Sequence, residues 1–574
     1  MSRSFRLRSV APRLAAACVL AAAGCSYSSD DRLVLPGETP GGVGATADPA
    51  VGQSPGPAPA GAQDQEKTAI LENVIKQIQE AAGRPGGDRF GNATKNLNQY
   101  FEGAPPSDFA LDPKTREYLL TQLPAQKVTG LETPAWSATD ARHLEDCLLY
   151  QGITGRVGGV GDDLTRARRV FDWMVQQIQL VPAGRLAANG MGQAQVRPYD
   201  VLLRGMATEG EGFWSERGWL FLSLCRQLGL DAGLLTYTPL GSRAPIIWCA
   251  AVLIDKTPYL FDHRAGLPIP DARGDGVATL EEALTVPAVL DRMDLHIAGQ
   301  PAPTARGALL SSTTRLGVWV DSSPSYFSPR MKLLQQSLSG KNLTVLYRDP
   351  VAQRDRFTEA LGRRLGEVAF WPLPIFVEHQ LFTNPQFVEA TQVSLGLFRP
   401  ELPLVYARMK QLRGETADAV RAYVAFRFAE DALLAGLKKP TPAQVQQARE
   451  IQKALDAHAT YFLGTCHLEQ KHPDQAAFFF EKALQMLPEP GPRRLYYYMF
   501  RWGAGANLAR LKLAGGDAAT AVAYFSQADP TPQRLGNLLR ARDLVWLDPT
   551  APSPAPLPPA PADTSGPETA DIGK

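Results

Sequence analysis

At 574 residues the chain is too long for one ordinary domain, so several units are expected. Its 59 Lys and Arg nearly cancel its 58 Asp and Glu, which leaves no global field to draw nucleic acid, and no nucleic-acid partner is expected. Six cysteines without C-x-x-C spacing and seven histidines without H-E-x-x-H argue against a disulfide framework, a metal site or any cofactor.

Residues 1–25 carry Arg3, Arg6, Arg8 and Arg13 ahead of an apolar stretch, Leu14 to Gly24. That stretch is shorter than the roughly 20 residues a spanning helix needs and suits a secretory leader. Its ending, LAAAGC, resembles a bacterial lipobox, with Ala22 where leucine is usual. The resemblance implies diacylation of Cys25, a firm membrane anchor, and residence in the bacterial cell envelope facing the periplasm or exterior. An ordinary cleavable leader with an incidental Cys25 is the alternative. Residues 26–65 are rich in Pro, Gly and Ala and cannot bury enough apolar surface to offset chain entropy; they read as a flexible tether.

Residues 66–160 read as a helical N-terminal region. Ile70, Val74 and Ile78 recur at helical spacing, and further helices are expected over 114–123 and 138–150. The glycine-rich GITGRVGGVGDD matches no phosphate-binding motif and reads as a turn feeding a helix capped by Asp162 or Asp163. That helix presents Leu164, Ala167, Val170, Phe171, Met174, Val175 and Ile178 at core spacing. After GEGFWSERGWLFLSLCRQLGLDAGLL (210–235) the period changes: GLLTYTPL, PIIWCAAVLID, TPYLFD, LGVWVDS and NLTVLYRD read as strands. The fold class is α+β over residues 161–330.

This pattern resembles the transglutaminase-like superfamily, a papain-like cysteine-nucleophile fold. LCRQLGLDAGLL matches its helix end and following strand, and CAAVLID and YLFD match its next two strands. The resemblance implies a cysteine at a helix N-terminus, a histidine on a facing strand and an acid on the next. Here Trp214 stands in the cysteine position and Ile247 in the histidine position; only Asp262 is retained. Neither an indole nor a branched alkyl group accepts a proton or attacks a carbonyl, so a degenerate, non-catalytic site is expected. Trp214 then fills the old cleft, anchors a partner or simply packs, and Asp262 holds the loop HRAGLPIPD. Glu216 and Arg217, in the first helical turn, read as a solvated ion pair or a substitute for lost site hydrogen bonds, with a functional pair as the alternative, and Cys225 and Cys249 as small core residues. The rival is an active hydrolase or acyltransferase on protein or peptide substrates, with Ser215 and His263 rewired around Asp262. Strand alternation opposes it, because His263 faces away if Asp262 faces the cleft, unless the strand has already ended there.

Residues 331–400 form a mixed connecting region without a motif. Residues 401–548 read as helices. DAHATYFLGTCHLEQKHPDQAAFFFEKALQMLP resembles a tetratricopeptide repeat through Leu463, Gly464, Ala476, Phe480 and Ala483, and GANLARLKLAGGDAATAVAYFSQADP repeats it. Such repeats imply a binding surface for an unknown protein or peptide. The aromatic cluster Tyr496–Tyr498 with Phe500 lines a groove or fills a core, and His458, His467 and His472 read as core or surface histidines. Residues 549–574 form a disordered tail by composition. The expected function is that of a lipid-anchored scaffold or interaction protein.

Overall fold

The computed structural model describes residues 60–81, 90–182, 196–209, 213–238, 244–295, 306–311, 314–362, 365–395, 403–425, 439–487, 500–527 and 531–547, with Leu434 and Asp529. Cys25, the tether before residue 60, Tyr496–Tyr498 and the tail of residues 549–574 lie outside them. No helix among the described residues is long and apolar enough to cross a membrane.

Five helices lead: α1 (Ala60–Ala81), α2 (Gly91–Tyr100), α3 (Pro113–Gln122), α4 (Ala125–Leu131) and α5 (Ala138–Gly158). Their starts are written locally. The Asp112 carboxylate accepts from the Thr115 amide, and Ser137 and Asp140 form a capping box. Helix α5 runs eight residues beyond the expected stop at Tyr150, through Gly152, Gly155 and Gly158. Burial of Ile153 and Thr154 offsets the cost of those glycines, and a Cβ on Gly158 would stand only 3.1 Å from the Leu228 side chain. Helix α6 (Asp163–Gln177) follows, capped by Asp162, whose carboxylate accepts from the Thr165 amide at 2.8 Å.

Strand β1 (Gln179–Pro182), helix α7 (Pro198–Arg204) and strand β2 (Met206–Glu209) come next. β1 and β2 pair in parallel as a separate two-stranded ribbon that delivers Glu209 to the start of helix α8 (Glu216–Gln227).

The main sheet holds six strands: β3 (Asp231–Tyr237), β4 (Ile246–Ile254), β5 (Thr257–Asp262), β6 (Leu267–Pro268), β7 (Leu316–Val320) and β8 (Leu365–Phe370). Their order is β6-β5-β4-β3-β7-β8, antiparallel except for β7 with β8. The architecture is therefore α+β with a mixed sheet. Both faces are covered. On β4, Ile247, Ala250 and Val252 join a core with α6, α8 and the C-terminal helices, while Cys249, Ala251 and Leu253 join a second core with α1 to α5. Burial on both faces explains why IIWCAAVLI is apolar throughout instead of alternating. Phe171 and Phe221 meet Phe261 within 5.2 Å between ring centroids, each full burial contributing about 2 kcal/mol.

Short helices α9 (Leu280–Thr285), α10 (Pro287–Asp291) and α11 (Arg306–Leu310) fill the connection from β6 to β7. Beyond β7 lie α12 (Pro329–Ser337), α13 (Pro350–Leu361), β8, α14 (Pro372–Thr383) and α15 (Pro385–Ser394). Two expectations change here. NLTVLYRD forms no strand, because side chains take its backbone groups: Gln227 bonds both the Val345 amide and carbonyl, and the Gln335 side-chain oxygen accepts from the Leu346 and Tyr347 amides. The sheet also continues to Phe370, past the boundary drawn at 330, since β8 pairs with β7 across the intervening helices.

Seven helices complete the described chain: α16 (Pro403–Leu412), α17 (Thr416–Ala425), α18 (Pro442–Glu469), α19 (Pro473–Met486), α20 (Phe500–Ala514), α21 (Ala518–Phe525) and α22 (Arg534–Leu547). Ala476, Phe480 and Ala483 are buried at the α18–α19 contact, and Ala521 and Phe525 at the α20–α21 contact. Helices α16 to α20 share the first core with α6 and α8, while Ala509, Ala521, Val522, Phe525 and Ala541 form a small separate cluster. The Tyr461 hydroxyl donates to the Gln176 carbonyl, and Trp173 Nε1 and Gln177 Nε2 donate to Glu469.

Candidate functional site

The N-terminus of α8 is where the resemblance locates chemistry. Ser215 has extended backbone and caps the helix, its Oγ accepting from the Gly218 amide at 3.1 Å. An isolated bridge between Glu209 and Ser215 fixes the end of β2 against this cap. Ser215 Oγ donates to Glu209 Oε1 at 3.0 Å, and the Arg217 amide donates to the same oxygen at 3.3 Å. A carboxylate thus occupies the positive end of the helix. Trp214 is half-buried, and its Nε1 donates to Thr208 Oγ1 at 3.2 Å.

Glu216 and Arg217 are not a solvated pair. Both are fully buried and each bonds elsewhere. Glu216 pairs with Arg204 and accepts from the Val196 and Thr208 amides. Arg217 donates to the carbonyls of His263, Val175 and Ile178 and to Gln533 Oε1. Burial pushes its guanidinium down to about 9, against the pull of Glu209. The two side chains stitch the helix start to α6, α7, β2, the turn after β5 and the segment before α22, and these hydrogen bonds offset the cost of burying the charges.

The strand residues are arranged differently from the triad count. Ile247 is buried in the first core beside a bulge: Cys249 pairs with Leu235 and Ile247 with Thr236, leaving Trp248 as the extra residue. Asp262 Oδ1 accepts from the Arg264 and Ala265 amides at 2.9 and 2.8 Å, so this carboxylate serves the turn after β5. Burial raises its pKa. His263, not Asp262, approaches the helix start: its Nε2 lies 3.9 Å from Glu209 Oε2, and it is wholly buried. Among the described residues neither His263 nitrogen makes a hydrogen bond, nor does Glu209 Oε2. Burial drives the imidazole well below its ordinary range, helped by Arg264 and Arg217. Burial also pushes the Glu209 carboxyl up to about 7, against Arg264, Ser215 and Arg217.

Glu209 is the residue sequence reasoning missed. Its signal was an acid shortly before a helix start. Chemically, the Ser215 hydroxyl donates its hydrogen bond to the Glu209 side chain and makes none to an imidazole among the described residues. With Ser215 at 0% exposure, its hydroxyl is closed to any acyl carbon.

One thiol does touch an imidazole, on a different element. Cys147 Sγ lies 3.7 Å from His143 Nε2, one turn apart on α5, and donates to the Tyr326 hydroxyl. His143 Nε2 donates to the Leu346 carbonyl at 3.0 Å. Burial raises the thiol pKa and pushes the imidazole down to about 4, so both groups are neutral. Cys225, Cys249 and Cys466 are buried with raised thiol pKa values too. His458 packs against Phe500, both fully buried, and His467 lies 6.0 Å from His472. Among the described residues no cluster of three His, Cys, Asp or Glu is placed to hold a metal ion.

No protein-family model matches the chain, and no curated protein and no solved structure matches it.

Proposed function

We propose that the chain is a membrane-tethered, non-catalytic interaction protein of the bacterial envelope. In this reading a lipidated Cys25 holds it to a membrane, a degenerate transglutaminase-like, papain-like core forms the body, and tetratricopeptide-like helices within residues 401–548 dock another polypeptide. The observation that carries the loss of catalysis is the engagement of Ser215. Its hydroxyl caps α8, donates to Glu209 and is sealed from solvent, beside a tryptophan in the nucleophile position.

Supporting the repeat reading, a Cβ on Gly464 would overlap the Phe480 ring at 2.7 Å, the small-against-large packing that brings paired helices together. Part of the repeat surface is taken by the body itself, through Tyr461, Glu469 and Asn507 against the end of α6. A partner would therefore meet outward residues such as Tyr406, Val424 and Phe478, which are exposed. The test belongs on the full chain, because an isolated repeat region would expose the face it buries on α6. A fluorophosphonate probe is expected to leave the native protein unlabelled. Labelling that disappears in Ser215→Ala would replace this reading with a serine hydrolase or acyltransferase. Crosslinking from Phe478 and Tyr406 positions in whole cells is expected to trap a defined polypeptide. A chain that yields none from either position has no partner on this surface.

A further inference from the structure

A second polar site lies away from Ser215, Glu209 and His263, and shares no residue with them. It is a cleft of about 80 Å3 between α5, α8, α14 and the turn at Pro324–Phe327, open on one side. Helix α5 turns Thr139, Arg142, His143, Asp146 and Tyr150 toward it. Those offsets place all five on one helix face, at positions that would ordinarily carry apolar residues against a neighbouring helix. Polar groups there hold the space open. Trp219 of α8 and Glu378 of α14 complete the walls.

The cleft alternates in sign. Arg197 Nη1 reaches both Asp146 oxygens, at 3.1 and 2.8 Å, and Lys127 stands 3.5 Å from Glu378. Arg142 lines the same wall as Asp146, one helical turn away. Burial pushes the Asp146 carboxyl up to about 7 and raises Glu378, against the pull of Arg197 and Lys127. Tyr150 is 2% exposed and lines the cleft, and its hydroxyl makes no hydrogen bond among the described residues. A simple anion would face Asp146 and Glu378, and a simple cation would face Arg142 and Arg197. A molecule carrying both charges one carbon apart meets neither conflict. The space is about half of the 150 Å3 that accommodates a benzene ring, enough for a charged head whose remainder leaves through the open side.

We propose that this cleft binds the zwitterionic head of a free α-amino acid. The ammonium sits toward Asp146 and Glu378, the carboxylate toward Arg142, and the Tyr150 hydroxyl supplies a hydrogen bond. The site is independent of the fate of Ser215, so it stands whether or not the chain is an enzyme.

The test is isothermal titration calorimetry on the full chain with a panel of free amino acids and dipeptides, alongside their N-acetylated and amidated forms. Saturable binding is expected, with each blocked form at least about tenfold weaker, the size of a lost charged hydrogen bond. Free amino acids are expected to bind better than dipeptides, whose two charges lie on different residues, and the reverse order overturns the proposal. Tyr150→Phe is expected to weaken binding about 3- to 10-fold. Leu381→Trp, at the half-exposed rim, is expected to abolish it with the urea midpoint unchanged, and decides the matter if Tyr150→Phe proves unfolded. No saturation up to about 10 mM, equal affinity for blocked forms, or normal binding by Leu381→Trp overturns the proposal.

Discussion

The Arg217 guanidinium donates to the Gln533 side-chain oxygen at 3.1 Å, tying the first turn of α8 to the segment that leads into α22. The same guanidinium serves three backbone carbonyls in a fully buried setting. Arg217→Ala would strand all four acceptors and is expected to cost about 3–5 kcal/mol in urea denaturation. Gln533→Ala removes one partner and is expected to cost about 1 kcal/mol. A double variant no worse than Arg217→Ala would show that the two act together. Additive losses would mean that the bond contributes nothing.

Glu209 gives the fold a pH dependence whose sign is fixed. Its carboxyl, raised from 4.5 to about 7, keeps its proton in the folded state where the unfolded chain has released it. Its contribution is complete below the unfolded value and is lost as pH rises through about 7. Asp146 acts in the same direction, and His143, held down to about 4, acts in the opposite one. Glu209→Gln should therefore lose about 3 kcal/mol less than the parent between about pH 5 and about pH 8. Equal losses in parent and variant would show that Glu209 ionises normally in the fold.

Gly536 lies so close to the Ala265 carbonyl that any Cβ would overlap it. Both contacting groups are backbone, so neither can swing aside. Gly536→Ala is expected to cost about 2 kcal/mol or more, whereas Gly130→Ala, with open space around it, should change little. A thermal melt of each variant checks the contrast.

Cys147, Cys225, Cys249 and Cys466 are all buried, with thiol pKa values above the ordinary range. Iodoacetamide should modify none of them in the native protein and all of them in urea, read by peptide mass. Rapid native alkylation of Cys147 would show that the pair with His143 is an accessible thiolate after all.

Local rules made much of the body readable. Strands β3, β4, β5 and β7 followed from branched and aromatic runs between turn residues, and Asp162 announced α6. Residues needing a distant partner were not readable. β8 contains Gly366 and Glu367, poor strand formers, and is a strand because β7 waits beside it. NLTVLYRD has strand composition, yet Gln227 and Gln335 take its backbone groups first. At the site, the count from the helix reached Trp214 and Ser215, but the Glu209–Ser215 bridge and the approach of His263 depend on elements 54 residues apart in sequence, Glu209 to His263. Alternation alone turned His263 away, and the turn after β5 brought it back.

The pairing of β7 with β8, and of the turn after β5 with α22, has a consequence for synthesis. Residue 320 leaves the ribosome well before residue 370, and Gly266 long before Arg540 arrives to bond its carbonyl. At roughly 5–20 residues per second, the β7 edge stays bare for several seconds and the turn for tens of seconds. A nascent chain of this kind offers an unpaired strand to its neighbours on the polysome, which makes crowded translation the moment of greatest hazard for this molecule.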